Sequence, residues 1–388
     1  MNEGQMLFSL LRQGVCGEPA DEAMNEQLTP ELLKAVCHLA RPHDLLHIVG
    51  YVLQKLQLSF DVPAYKKVCA LNREAIFRYS RMILEYEQIC KTLEEANIRY
   101  VPLKGSVLRD YYPEPWMRTS CDIDILVQES DLDAAADALV QNLQFTKGKK
   151  EHHDISLFSP VKVRLELHFS LEHVEHVRGE REILHNVWQH VLPEGDSKWR
   201  CRLTDEMFYF YHVTHMAKHL QEAECSIRPF LDLWIMNHRM PGDAAAREAL
   251  LRKGGMLPFA RAAEKLSEVW FTGDAPDAMS RRLEALILQY GTDAAKSNYV
   301  ALKQNQSGGK LRFVLDKIFP SFDRMTAYYP VLKEKPWLLP IYVLRRWWRL
   351  IFTRDAQRAK EAMKLNAEIS DEEIASMSGL LKHLGLGN

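Results

Sequence analysis

The sequence lacks any recognisable pairing of its cysteines. Seven cysteines are scattered along the chain, their number is odd, and none forms a Cys-x-x-Cys motif. This pattern argues against a zinc ribbon and against a disulfide framework, and it predicts reduced thiols in the cytoplasm.

Long apolar runs and an excess of one charge are also absent. No segment approaches 18 uninterrupted apolar residues, so no membrane span is predicted. The opening MNEGQMLFSLLRQG has no basic stretch before an apolar one, so we expect no signal peptide. The net charge of −2, with no long basic tract, gives no reason to expect duplex DNA binding.

The chain is long, and the spacing of its apolar residues changes along it. Its 388 residues exceed what one hydrophobic core usually serves, so two or three domains are expected. Apolar residues recur at helical spacing up to residue 96 and again beyond about residue 204. We predict a helical N-terminal region (1–96), an α/β core (97–172) and a helical C-terminal region (173–388).

Short strands are predicted within the core. The candidates are IRYVPL, DIDILV, EHHDISLFSP and VKVRLELHFSL. Ser130 is the expected N-cap of an Ala-rich helix that follows DIDILV. The segment QNQSGGK (304–310) is the best candidate for an exposed loop. The pattern favours an α+β fold with a small mixed sheet between two helical regions.

Two acids stand out in the DIDILV strand. Asp122 and Asp124 are two residues apart and therefore project from one face, while Ile123 and Ile125 face the core. Glu166 lies on the polar face of a later strand, and a third carboxylate would join them if that strand is a neighbour. Three oxygen-donor acids suit Mg²⁺, whose coordination substrate phosphates usually complete.

A Lys104-Gly105-Ser106 turn precedes these acids, between a strand and a predicted helix. Glycine allows a phosphate to approach the backbone closely, and the free amides at a helix start attract anions. The sequence therefore predicts a phosphate and a metal in one cleft.

An ordered set of motifs carries a family resemblance over roughly residues 30 to 240. These motifs are Leu103-Lys104-Gly105, Arg118, Asp122-Ile123-Asp124-Ile125-Leu126-Val127, Glu166-Leu167-His168 and His215-Met216-Ala217-Lys218-His219. In this respect the chain resembles an uncharacterised bacterial nucleotidyltransferase family of the DNA polymerase beta-like superfamily. It departs from the superfamily in the 15 residues between Ser106 and Asp122, a slightly long gap, and in the lysine before Gly105.

The resemblance implies a role for each motif. Asp122, Asp124 and Glu166 would hold two Mg²⁺ or Mn²⁺ ions, with Glu166 also acting as general base. Gly105 and Ser106 would cradle the phosphates of a nucleoside triphosphate. The remaining nucleotide-binding candidates are Lys104, Arg118, His168, His215, Lys218 and His219. The acceptor would be an unknown small molecule, protein or RNA.

Ordinary structural roles compete with several of these assignments. The two aspartates could pair with Arg118 or cap a helix, Glu166 could lie on a solvated strand face, and Lys104 could be a plain ion-pair partner. His212, His215 and His219 share a helical face that could bind zinc, although no Glu follows His215 as in zinc proteases.

A stretch rich in tryptophan and arginine (337–349) also has two interpretations. It could form a membrane-surface or RNA-binding helix. We favour a helix with a basic outer face and an aromatic core face, which explains the same residues.

The sequence thus predicts metal-dependent transfer of a nucleoside monophosphate with release of pyrophosphate. Two alternatives stay open: a binding protein that kept the fold and lost turnover, and a phosphoryl transferase that uses the same metals.

Overall fold

A five-stranded mixed sheet, flanked by helices, organises the first part of the chain. The structure is a computed structural model that describes all residues except 59, 152, 173–177, 308, 330, 353–363, 366 and 388. The contacts among its residues form two units. The first contains Met1–Met216 and Ser226–Leu288, and the second contains Ala217–Cys225 and Gln289–Asn388. The division predicted at residues 96 and 172 remains a prediction.

The chain begins with helices, as the spacing of its apolar residues predicts. They are α1 (Glu3–Leu11), a π-helix (Arg12–Cys16), α2 (Glu22–Asn25), α3 (Pro30–Ala40), α4 (Leu46–Lys55) and α5 (Pro63–Glu95). Thr29 accepts a hydrogen bond from the Leu32 amide and so caps α3, whose first residue is a proline that needs no amide partner.

The sheet follows. Its strands are β1 (Tyr100–Pro102), β2 (Asp122–Val127), β3 (Thr146–Lys150), β4 (Asp154–Phe158) and β5 (Arg164–His168). They lie in the order β1-β2-β5-β4-β3. Only β2 and β5 run parallel; the other neighbours are antiparallel. Helices α6 (Gly105–Leu108) and α7 (Leu132–Leu143) lie between the strands in sequence. The predicted α+β fold with a small mixed sheet is confirmed.

The alternation of β2 and β5 sets which face of the sheet is apolar. Ile123, Ile125, Leu165 and Leu167 are buried in one hydrophobic core. The cluster also contains residues of α5 and α7, such as Ile89 and Leu139. Each buried Ile or Leu contributes roughly 1.5–3 kcal/mol. A slip of one residue would bury the acids and expose this face, so the core fixes the strand register.

One helix, a two-stranded sheet and a run of helices follow. In the first unit the elements are α8 (Arg178–His185), β6 (Val191–Pro193), β7 (Cys201–Leu203), α9 (Asp205–Gln221), α10 (Arg228–His238), α11 (Ala244–Lys253), α12 (Leu257–Phe271) and α13 (Ala278–Ile287), with α9 ending in the second unit. The second unit continues with α14 (Asp293–Ser307), α15 (Lys310–Ile318), α16 (Phe322–Tyr328), α17 (Val331–Glu334), α18 (Leu339–Phe352) and α19 (Asp371–His383). Short 3₁₀ segments are Arg109–Tyr111, Pro115–Met117, Glu129–Asp131, Val187–His190 and Pro336–Leu338.

Several local predictions were wrong. Ser130 lies inside a 3₁₀ turn, and Asp131 occupies the N-cap position of α7 without a side-chain cap. The predicted loop at 304–310 is mostly helix, because α14 continues to Ser307 with Gln304 buried; residue 308 lies outside the described residues. Strand β3 was missed because all its residues are exposed and show no apolar period.

Among the described residues, no helix has the length and apolar character needed to cross a membrane.

Candidate active site

The parallel pairing of β2 and β5 brings the predicted acids together. Asp124 is the direct register partner of Glu166, and Leu126 is the partner of His168. Neighbouring strands lie about 4.8 Å apart, so facing side chains on one face are in reach of each other. Asp122 projects from the same face of β2, two residues before Asp124. The sheet therefore places Asp124 next to Glu166 and carries Asp122 on the same face of β2.

Asp124 is the most buried of the three and is held by two donors. Lys104 Nζ lies 2.8 Å from its Oδ1, and His168 Nε2 lies 2.9 Å from the same oxygen. Burial raises the pKa of Asp124, but Lys104 and His168 outweigh it and hold the pKa well below its usual range. Both contacts fall on Oδ1, so Oδ2 accepts no hydrogen bond from any described residue.

His168 has a definite proton arrangement in this contact. An ionised carboxylate can only accept a hydrogen bond, so Nε2 of His168 carries the proton. The buried Nδ1 has no hydrogen-bond partner among the described residues. His168 therefore orients Asp124 in the manner of a histidine that supports a metal-binding carboxylate.

Asp122 differs from Asp124 in having no such support. Its half-buried carboxylate accepts no hydrogen bond from any described residue. Burial and the Asp124 charge raise its pKa, while Lys104, Arg164 and Arg228 oppose that rise. This acid is short of positive charge.

Glu166 is intermediate between Asp124 and Asp122 in how closely positive groups contact its carboxylate. Its Oε1 is 2.7 Å from Arg164 Nη2, and its Oε2 is 3.6 Å from His168 Nε2. Burial, Asp124 and Asp122 nevertheless raise the pKa of Glu166. The cluster as a whole carries more negative charge than the neighbouring side chains neutralise.

Lys104 enters the cluster through an unusual backbone conformation. Its φ of 45° and ψ of −119° are costly for a residue with a Cβ. The pKa of Lys104 is lowered by burial but raised more by Asp124, so the ammonium stays charged. Tyr211 of α9 lies close enough to Lys104 for the two side chains to interact electrostatically, and burial raises the pKa of Tyr211 to about 12. The strained turn thus delivers a cation to Asp124.

The glycine turn next to Lys104 is tight. Gly105 begins α6 and is buried, and the Ser106 amide donates to the Leu103 carbonyl at 3.1 Å. A methyl group added at Gly105 would lie 3.5 Å from Ser120 Cβ and 3.6 Å from Arg118 Nη1. These are ordinary van der Waals distances, so packing alone does not demand glycine there.

Arg118 is engaged in a buried ion pair. Its Nε lies 2.7 Å and 2.9 Å from the two carboxylate oxygens of Asp232 in α10. Tyr112 donates to the same Asp232 at 2.8 Å. Burial lowers the pKa of Arg118, but Asp232 raises it more. This is the ion-pair role anticipated as the alternative for Arg118, although with Asp232 rather than with Asp122 or Asp124.

The predicted histidine motif is divided. His215 lies one helical turn after Tyr211, with ring centroids 6.1 Å apart. His212 hydrogen-bonds the Pro229 carbonyl at 2.9 Å and is therefore structural. Lys218 and His219 group with the second unit. His219 lies there beside Glu222 and Glu224, with one ligand atom from each within 4.8 Å of the others. The roles of His215, Lys218 and His219 in nucleotide binding remain predictions.

Sequence reasoning missed two important residues. Asp232 lies within the apolar run PFLDLWIM, and an acid there needs a buried partner for the reason that applies to Asp124. Tyr211 precedes His215 by four residues, so it shares that helical face. Both signals were present in the sequence.

The residues present fit a divalent cation. Ligand atoms of Asp124, Glu166 and His168 lie within 4.8 Å of one another. Asp122 and Asp124 Oδ2 offer carboxylate oxygens that accept no hydrogen bond from any described residue, which is the donor chemistry that Mg²⁺ or Mn²⁺ prefers. His168 Nε2 already donates to Asp124. Among the described residues, Asp122 is not part of a group whose ligand atoms all lie this close, so Asp124 and Glu166 are the two acids that the geometry brings together.

Comparison with protein families identifies the family of this chain. A family model described as "Uncharacterised nucleotidyltransferase" matches residues 30–272. No curated protein and no solved structure matches the chain. The matched segment covers more than half of the 388 residues and contains the three acids and the glycine turn. The chain belongs to this family of uncharacterised nucleotidyltransferases.

Proposed function

We propose that this protein is a Mg²⁺- or Mn²⁺-dependent nucleotidyltransferase that transfers a nucleoside monophosphate to an acceptor and releases pyrophosphate. One observation carries the proposal: Asp124 and Glu166 are register partners on neighbouring strands, Asp122 lies on the same face of β2, and too little positive charge surrounds these acids beside the Lys104-Gly105 turn. The cytoplasm is the proposed location, from the cysteine pattern. The acceptor is proposed to be a small molecule, a protein or RNA.

Asp122, Asp124 and Glu166 would hold the divalent cation. When bound, the cation would neutralise phosphate charge and favour an ionised attacking oxygen. His168 keeps Asp124 oriented through the 2.9 Å contact to Oδ1. Asp124 is then fixed in one rotamer before substrate arrives, which lowers the cost of assembling the site.

Lys104 and the glycine turn would bind the triphosphate. Lys104 carries its charge at the acidic cluster, and a phosphate bound at Gly105 would lie within reach of that ammonium. Because Gly105 has no side chain, a phosphate oxygen could approach its backbone more closely than at another residue. Ser106 and Arg118 are secondary candidates for binding the triphosphate. Arg118 is secondary because it already forms an ion pair with Asp232.

Glu166 would accept the proton of the acceptor hydroxyl. Without the cation, burial and the charges of Asp124 and Asp122 raise the pKa of Glu166, and a bound cation would lower it again and keep the carboxylate ionised. The hydroxyl oxygen attacks the α-phosphate in line, the bond to the β-phosphate breaks, and pyrophosphate leaves.

Transfer of the γ-phosphoryl group is the second candidate, because the same acids could serve it. The position of a label separates the two reactions. The protein is incubated with Mg²⁺, an extract of small molecules, protein or RNA, and a nucleoside triphosphate labelled at either the α- or the γ-phosphate. We expect the α-label to enter the product and the γ-label to leave as pyrophosphate. Entry of the γ-label would instead establish a phosphoryl transferase.

Asp122→Asn is the matched control for this experiment. It removes a charge that no described side chain hydrogen-bonds, so we expect the fold to survive and transfer to fall by about a thousandfold or more. Transfer of neither label, without stabilisation of the wild-type protein by nucleotide and Mg²⁺, would favour a binding protein that has lost turnover.

A further inference from the structure

Helix α18 in the second unit has two apolar faces, one that packs against neighbouring segments and one whose large side chains are mostly exposed. On the inner face, Trp347 Nε1 donates to the Ile318 carbonyl at 2.8 Å, and the Trp347 ring meets Phe319 edge-on at 5.4 Å. Tyr342 packs against Tyr329 at 4.6 Å between ring centroids. Helix α18 therefore has the predicted aromatic core face, and Trp347 is part of it.

The opposite face exposes a second row of large apolar side chains. Trp337 is 70% exposed, Ile341 61%, Leu344 61% and Trp348 60%. Their spacing of four, three and four residues places them along one side of the helix and the turn before it. We call these four residues the tryptophan stripe. The prediction of an aromatic core face is wrong for Trp337 and Trp348.

Basic residues accompany the stripe. Residues 331–352 contain Lys333, Lys335, Arg345, Arg346 and Arg349 but a single acid, Glu334. The whole chain has a net charge of −2, so positive charge is concentrated here. Arg345 is exposed and follows Leu344, on the side of the helix shared with Ile341 and Trp348. A long arginine side chain in that position can reach a phosphate while its neighbours enter an apolar layer.

This combination selects a lipid surface over a protein groove. Tryptophan prefers the boundary between lipid headgroups and acyl chains, and basic residues are attracted to anionic headgroups. Helix α18 has 14 residues, about 21 Å at 1.5 Å per residue, which is shorter than the roughly 30 Å hydrocarbon layer. A helix of this length and polarity lies in the interface rather than crossing it.

We propose that the tryptophan stripe, together with Arg345, docks the protein on membranes that contain anionic lipid. Trp337 and Trp348 lie near the two ends of the contact, with Ile341 and Leu344 between them. The docking site belongs to the second unit and does not depend on the proposed transferase chemistry.

Cosedimentation of the full chain with lipid vesicles tests the proposal. One set contains phosphatidylcholine alone, and the other also contains phosphatidylglycerol. We expect binding to the anionic vesicles, weakened by salt, and at least about tenfold weaker binding to the neutral ones. Equal binding to both sets, or to neither, would overturn the proposal.

Two variants assign any binding to the stripe. Leu344→Ser combined with Trp348→Ser should reduce binding to anionic vesicles by about tenfold or more. The matched control is Leu84→Ser on α5, since Leu84 is also 58% exposed but lies in the first unit. It should bind as the wild type does, and undiminished binding by the stripe variant would contradict the assignment.

A second copy of the chain is the competing occupant. Sedimentation velocity at several protein concentrations, without lipid, detects it. We expect no dimer that depends on the stripe. A dimer that Leu344→Ser with Trp348→Ser abolishes, together with no vesicle binding, would overturn the lipid proposal and assign the stripe to self-association.

Discussion

Two acids in the first unit, half-buried Asp122 and fully buried Asp232, have opposite surroundings. Asp232 in α10 accepts hydrogen bonds from Arg118 and Tyr112, so its charge is fully matched. Asp122 in β2 lies beside another carboxylate and accepts no hydrogen bond from any described residue. Burial of a charge is costly unless a partner compensates it. The matched acid serves the fold, and the unmatched acid is available to a ligand.

The same contrast separates the two predicted cations. Arg118 is committed to Asp232, because its Nε contacts both carboxylate oxygens, while Nη1 donates to the Thr119 carbonyl. Lys104 is a point charge on a strained turn, and Asp124 is the one hydrogen-bond and ion-pair partner of its ammonium among the described residues. A ligand phosphate could therefore recruit Lys104 at lower cost than Arg118.

The largest effect on stability is expected at the matched pair. Asp232→Asn leaves the Arg118 guanidinium buried without its counter-charge, which typically costs about 3–5 kcal/mol. Chemical denaturation measures the loss. Glu95→Gln, at the exposed pair with Lys91, is the control and should cost less than about 1 kcal/mol.

A double variant sharpens that result. Arg118→Met with Asp232→Leu removes both charges, so much of the stability lost in Asp232→Asn should return. If the double variant is as unstable as the sum of the two single variants, the pair is not the unit that we describe.

An intermediate effect is expected when the cation is removed from the unmatched cluster. Lys104→Met leaves Asp124 with one donor fewer and should lower the free energy of unfolding by about 1.5–3 kcal/mol without metal. Added Mn²⁺ should then raise the melting temperature more than in the wild type, since the cation would neutralise an uncompensated charge. A smaller rise in melting temperature with Mn²⁺ in the variant would show that Lys104 assists metal binding, rather than neutralising Asp124 in place of the metal.

Glu180 in α8 tests what burial does to an acid outside the active site. Burial raises its pKa from 4.5 to about 8. The folded state therefore holds a proton that the unfolded state releases, and stability should fall as pH rises from about 4.5 to about 8. The expected slope is at most about 1.4 kcal/mol per pH unit.

Glu180→Gln should flatten that part of the stability curve. Urea denaturation across the same pH range measures it, with the exposed Glu87→Gln as control. Parallel curves for the wild type and Glu180→Gln would contradict the raised pKa.

The smallest effect on stability is expected at the glycine turn. Gly105→Ala introduces only ordinary contacts, at 3.5 Å or more, so the free energy of unfolding should change by less than about 1 kcal/mol. If a phosphate approaches this backbone, the stabilisation by nucleoside triphosphate should fall by about 1.4 kcal/mol, a tenfold loss of affinity. An unchanged nucleotide response would remove Gly105 from the phosphate site.

Local patterns predicted the elements that carry the acids. DIDILV forms β2 with the expected bounds, and Leu165 and Leu167 alternate with Glu166 as expected for a half-buried strand. The predicted run VKVRLELHFSL covers residues 161–171, whereas strand β5 spans Arg164–His168. Periodicity finds such strands because one face must be apolar.

Contacts between distant segments could not be predicted in the same way. The register of Asp124 against Glu166 depends on packing of the whole sheet. The sequence therefore predicted that the two acids meet only if their strands are neighbours. The pairing of Arg118 with Asp232 joins residues 114 positions apart. Strand β3 gave no signal because it is an exposed edge strand made of Thr, Lys and Gly.

The central claim is that the unmatched carboxylates of β2 and β5 bind a divalent cation together with nucleotide. The direct test is the melting temperature of the wild type and Asp122→Asn, with and without Mn²⁺ and nucleoside triphosphate. Ligand at about 100 times its Kd adds roughly 2.7 kcal/mol of stability. We predict a clear rise for the wild type and none for Asp122→Asn, which should otherwise melt at the same temperature or higher. An equal rise in both proteins, or no rise in the wild type, would contradict the claim.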